Sequence, residues 1–121
     1  MPVRSLTSSV LAWPDAGAVD HAVRRWAERI VATRSGVRRI GYFGSYARGR
    51  RDLFTDLDLF VAWKTERPVL DRLRFLYSIL DVRVDLDIVC YTPAELQARS
   101  DQPFIRQLLS EEVVLYERQP G

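Results

Sequence analysis

At 121 residues, with 47% hydrophobic and 28% charged positions, the chain has the length and composition of one soluble globular domain, which excludes fibrous and disordered classes. Eighteen Lys and Arg against sixteen Asp and Glu leave a net charge of only +2, so bulk electrostatics do not point to nucleic acid, and no direct nucleic-acid binding is expected. Cys90 is the lone cysteine, which rules out an internal disulfide, and no apolar run nears the roughly 20 residues of a membrane span. With no signal-peptide pattern at the N-terminus, the expected compartment is the cytoplasm, without membrane contact. Nearly all the positive charge is arginine, Lys64 being the one lysine. That bias suits bidentate phosphate contacts, and it equally follows from a GC-rich coding sequence.

Residues 1–17 mix Ser, Thr, Pro and Gly around Leu11 and Trp13 and read as an N-terminal arm, leaving 18–121 as a single domain. From Ala18, the residues Val19, Ala22, Val23, Trp26, Ile30 and Val31 recur at helical spacing, with Gly36 as a stop. His21, the only histidine, falls near the start of that helix and reads as an exposed helix residue. Residues 38–43 read as a strand ending at Gly44-Ser45, residues 46–49 as one helical turn, and 50–55 as a polar loop. Residues 56–63 alternate, with Asp56, Asp58, Phe60 and Ala62 on one face and Leu57, Leu59, Val61 and Trp63 on the other.

Pro68 opens a second helix whose apolar stripe is Val69, Leu70, Leu73, Leu76, Tyr77 and Leu80. Residues 82–91 alternate again: Asp85, Asp87, Val89 and Tyr91 share one face, and Val84, Leu86, Ile88 and Cys90 the other. Cys90 reads as core rather than nucleophile. Thr92-Pro93-Ala94-Glu95 has the form of a capping box that starts a third helix. A helical pattern through Phe104, Ile105, Leu108 and Leu109 precedes a short strand at 113–116. The order helix, strand, strand, helix, strand, helix, helix argues a small α/β (α+β) domain with a mixed sheet flanked by helices.

The chemistry lies in Gly44-Ser45, ten residues, then Asp56-Leu57-Asp58. Carboxylates at i and i+2 of a strand leave on one side with Cα atoms about 6.5 Å apart. They can converge on two cations about 3.5–4 Å apart, as in phosphoryl-transfer sites. Placing both on an otherwise apolar strand without a cation costs stability or raises a pKa, and Mg²⁺ is the default for carboxylate and phosphate oxygens. Gly44 lets the backbone approach a phosphate, while the turn amides and the Ser45 hydroxyl offer donors. Arg48 can neutralise phosphate charge or brace the turn through Asp52 or another acid. A third acid, Asp85 or Asp87, can bind the metal and take a proton; spacing does not choose between them.

These residues make the chain resemble a minimal nucleotidyltransferase domain of the polymerase-beta superfamily. Gly44-Ser45-Tyr46-Ala47-Arg48-Gly49 and Thr55-Asp56-Leu57-Asp58-Leu59 are similar to the family's Gly-Ser signature and paired aspartates. The stretch Val84-Asp85-Leu86-Asp87-Ile88-Val89, leading to Thr92-Pro93, is similar to its third acidic strand, with Asp87 the better match and Asp85 in reserve. Thr55 stands where serine is commoner. The resemblance spans roughly residues 37–96.

It implies a polymerase-beta-like fold and transfer of a nucleoside monophosphate from a triphosphate, ATP, to a hydroxyl, aided by two Mg²⁺ ions. Gly44, Ser45 and Arg48 would bind nucleotide; Asp56, Asp58 and Asp87 would bind metal, Asp87 doubling as base. Larger relatives carry a helical second domain for which this chain has no room. Stand-alone domains resemble antitoxins that adenylylate a tyrosine of a HEPN ribonuclease toxin and bind it; a homodimer is also compatible. Two other readings follow: a small-molecule nucleotidyltransferase working with a separate helical subunit, and a catalytically silent antitoxin. Trp13, Trp63 and Phe54 are candidates for a partner surface, with Trp63 better suited to core.

Overall fold

The computed structural model describes residues 16–49, 56–81 and 85–118. The N-terminal arm apart from its last two residues, Trp13, the loop at 50–55 with Asp52, Phe54 and Thr55, and residues 82–84 lie outside them.

In chain order the elements are α1 (Ala16–Thr33), β1 (Val37–Phe43), α2 (Gly44–Ala47), β2 (Leu57–Trp63), α3 (Val69–Ser78), β3 (Leu86–Tyr91), α4 (Pro93–Ala98), α5 (Pro103–Glu111) and β4 (Val113–Glu117). The four strands form one sheet in the order β3-β2-β1-β4. β1 is antiparallel to both β2 and β4, whereas β2 and β3 are parallel, joined through α3 as a β-α-β crossover.

The period-2 pattern sorts the sheet into two faces. Leu57, Leu59, Val61, Trp63, Ile88 and Cys90 pack with Val19, Val23, Trp26 and Ile30 of α1 and Leu76 of α3 in the main core. Burying each such side chain contributes about 1.5–3 kcal/mol, so this layer dominates stability. Trp26 adds a bond from Nε1 to the Leu76 carbonyl at 2.9 Å, joining α1 to α3. The opposite face carries a smaller cluster, in which Phe43, Phe60 and Ala62 are covered by Leu108 of α5. Trp63 and Cys90 are core, and burial pushes the Cys90 thiol up to about 12, against any nucleophilic role. His21 is exposed on α1.

Three sequence readings need correction. The helical turn begins at Gly44, not Tyr46, so it starts directly where β1 ends. Asp56 and Asp85 precede their strands rather than belonging to them. In α3 the expected apolar stripe is only half used: Val69, Leu70 and Tyr77 are exposed, while Arg72 and Leu76 are buried. The helix is rolled so that Arg72 reaches Glu95, with Nη1–Oε1 at 2.9 Å and Nη2–Oε2 at 3.3 Å. Glu95 also completes the capping box with Thr92, as its spacing predicts.

Candidate active site

The site forms where β1, β2 and β3 begin or end on the face covered by α5. β1 finishes at Phe43, whose register partner on β2 is Asp58; on β2's other side, Asp58 stands level with Asp87. A parallel register thus brings two carboxylate-bearing positions from separate strands to adjacent places on one face. Asp56 lies exposed one step before β2, and the Leu57 amide donates to the Asp85 carbonyl at 2.9 Å. Asp87, rather than Asp85, is the acid level with Asp58.

Gly44 fixes the turn above this pair. Its φ of +73° is left-handed, and a Cβ there would collide with Asp58 Oδ2. Glycine serves two needs here: the conformation and the close approach of backbone to carboxylate. Tyr46, next but one, is fully buried and with Tyr42 donates a hydroxyl bond to Asp20 Oδ1 on α1, at 2.6 and 2.8 Å. The turn is therefore anchored from the far side of the sheet.

Electrostatics mark Asp58 as the focus. Burial first, then the Asp87 and Asp56 charges, raise its carboxyl to about 6, with Glu111 adding to the rise and Arg48 opposing it. Four carboxylates, Asp56, Asp58, Asp87 and Glu111, gathered around one partly buried point and opposed by Arg48, form a donor set that a divalent cation would relieve. Among the described residues the acids do not close into a preformed group of three or more metal-ligating side chains.

Glu111 was not singled out in the sequence. It ends α5 and accepts the Gly44 N–H at 2.8 Å through Oε1 and Arg48 Nη1 at 2.9 Å through Oε2. Burial pushes its pKa up, but the bonds from Gly44 and Arg48 outweigh that and hold it below the usual glutamate range. Arg48 Nη2 also reaches Ser45 Oγ at 3.3 Å. A cleft of about 190 Å³ collects Phe43, Gly44, Ser45, Arg48 and Asp58 against α5, which contributes Phe104, Gln107, Leu108 and Glu111. A larger hollow of about 300 Å³ between α1 and β4 is lined by Arg24, Glu28 and mainly apolar side chains, with neither paired acids nor a glycine turn, so chemistry rather than size selects the smaller cleft.

Residues 27–121 match the family model described as polymerase beta, nucleotidyltransferase, and the chain belongs to that family. Within it, the chain is similar to a solved structure described as a candidate minimal nucleotidyltransferase: 31% identity, 79% of this chain and 92% of that one, TM-score 0.53. A candidate nucleotidyltransferase from Sulfolobus solfataricus shares the fold at TM-score 0.61 and 20% identity, over 86% of this chain and 85% of that one. So does a tyrosine-to-alanine mutant of the toxin–antitoxin MntA-HpeT, at TM-score 0.54 and 22% identity, over 80% of this chain and 73% of that one. No curated protein matches the chain. Among the described residues no helix is long and apolar enough to cross a membrane.

Proposed function

We propose that this nucleotidyltransferase-family chain moves AMP from ATP to a hydroxyl on a protein partner, and that it serves as the antitoxin of a HEPN-type ribonuclease toxin. The observation that carries the catalytic part is the Asp58–Asp87 juxtaposition directly beneath the Gly44 turn. Asp56, Asp58 and Asp87 would hold Mg²⁺, which would neutralise charge on the triphosphate and the departing pyrophosphate. Gly44, Ser45 and Arg48 would hold the phosphates.

The partner hydroxyl oxygen would attack the α-phosphorus, forming the new P–O bond. The bond from that phosphorus to the β-phosphate bridging oxygen would break, and pyrophosphate would leave. Asp87 would take the hydroxyl proton. The chain's own contribution is positioning and charge complementarity rather than covalent chemistry. The toxin assignment is supported by the fold shared with the MntA-HpeT protein.

The test uses the chain, Mg²⁺, labelled ATP and a HEPN-type ribonuclease toxin as the acceptor protein. Label should appear on a tyrosine of that protein as one adenylyl group by mass spectrometry, and should vanish with Asp56→Ala or Asp58→Ala. Labelling that survives both substitutions would overturn the site. Efficient labelling of a small alcohol, with the protein untouched, would overturn the partner.

A further inference from the structure

The last turn of α5 puts a carboxylate on the donors that a phosphate would need. Glu111 takes the Gly44 amide with one oxygen and the Arg48 guanidinium with the other, and its side chain is only 17% exposed. Gln107, one turn earlier on the same helix face, also bonds this carboxylate. A carboxylate and a phosphate make the same demand here: two oxygens sharing one negative charge, held by an amide and a guanidinium.

The arrangement is unlike an ordinary surface ion pair in two respects. It engages a backbone amide at a left-handed glycine. It also adds a negative charge beside Asp58, whose carboxylate Asp87 and Asp56 already repel. Bracing α5 against the sheet does not require that cost, because Leu108 and Ile105 already seal the helix at almost no exposure.

We infer that Glu111 is an internal occupant of the triphosphate donor set, so that nucleotide binds by exchange: a phosphate oxygen pair replaces the Glu111 carboxylate on Gly44 N–H and Arg48, and Glu111 swings to solvent. This rests on the reading that Gly44, Ser45 and Arg48 receive the triphosphate. Affinity is then reduced by the fraction of molecules in which Glu111 holds the donors. Glu111 sets how much nucleotide is needed, and it keeps lone weak anions off the Gly44 and Arg48 donors.

The experiment is calorimetry of the full chain with Mg²⁺ and a non-transferable probe, adenosine 5′-(α,β-methylene)triphosphate. Glu111→Gln keeps the shape but loses the charge, and it should tighten binding about 10-fold; Glu111→Ala should tighten it at least as much. Unchanged or weaker binding in Glu111→Gln would overturn the exchange and leave Glu111 a brace, even if Glu111→Ala misfolds. The parent reading is tested separately: wild type should bind the probe and Asp58→Asn should bind it more weakly. No binding by wild type or any variant would overturn the nucleotide site itself, and the exchange with it.

Discussion

Two clusters of partly buried charge sit on the same β2-α3-β3 unit, and they are built oppositely. At the end of β3, Arg72 and Glu95 pair in bidentate fashion while Glu95 also caps α4, so both charges and the cap amides have partners within the protein. At its start, Asp58 stands level with Asp87, like against like, with burial raising its carboxyl to about 6. The first cluster is complete; it holds helices to the sheet. The second is left unbalanced by the chain, and a fold tolerates that when the balancing charge comes from a ligand.

Substitutions should separate the two clusters. The largest effect belongs to Asp58: Asp58→Asn should cut transfer at least about 10³-fold, several kcal/mol of transition-state stabilisation, read as label incorporated per minute. Arg72→Ala should instead unfold the protein more easily, by about 2–3 kcal/mol in urea melts, because it leaves Glu95 partly buried without its partner. Its activity per folded molecule should stay near wild type. Gly44→Ala should do both, costing about 1–3 kcal/mol through its left-handed backbone and displacing Asp58.

The smallest effect is a pH response of the complete cluster. The Arg72 bond, the Thr92 amide and nearby charge hold Glu95 below its ordinary value of 4.5. A depressed carboxyl contributes stability that is present above the unfolded pKa and is lost as pH falls through the folded one. Thermal melts should therefore show wild type losing its advantage over Glu95→Gln as pH drops below about 4.5, with no such loss above it.

Local pattern carried much of this. The i, i+2 spacing of Asp56 and Asp58, and the position of Gly44 at the end of a strand, are visible in a few neighbouring residues, although Asp56 itself falls one step before β2. The Thr92–Glu95 box is equally local, and it is present. Spacing leaves Asp85 and Asp87 open, because an alternating pattern puts both on one face; Asp85 falls before β3, and the parallel register of β2 with β3 sets Asp87 level with Asp58.

Glu111 was harder still, because its partner Gly44 is 67 residues away. The signal available was the face Phe104, Gln107, Leu108, Glu111, an amphipathic stripe whose last member is an acid. Arg72 hid inside an apolar stripe for a related reason. Propensity marks which residues are apolar, but the rotation of α3 on the sheet is set by tertiary pairing with Glu95, leaving Leu70 and Tyr77 outside.

The unbalanced acid cluster is tested most directly by following which phosphate moves. With Mg²⁺ and the acceptor protein, label on the α-phosphate of ATP should be incorporated by wild type and label on the γ-phosphate should leave as pyrophosphate, with neither retained by Asp58→Asn. Retention of γ-label, or α-label incorporation undiminished in Asp58→Asn, would contradict nucleotidyl transfer at the Asp58–Asp87 pair.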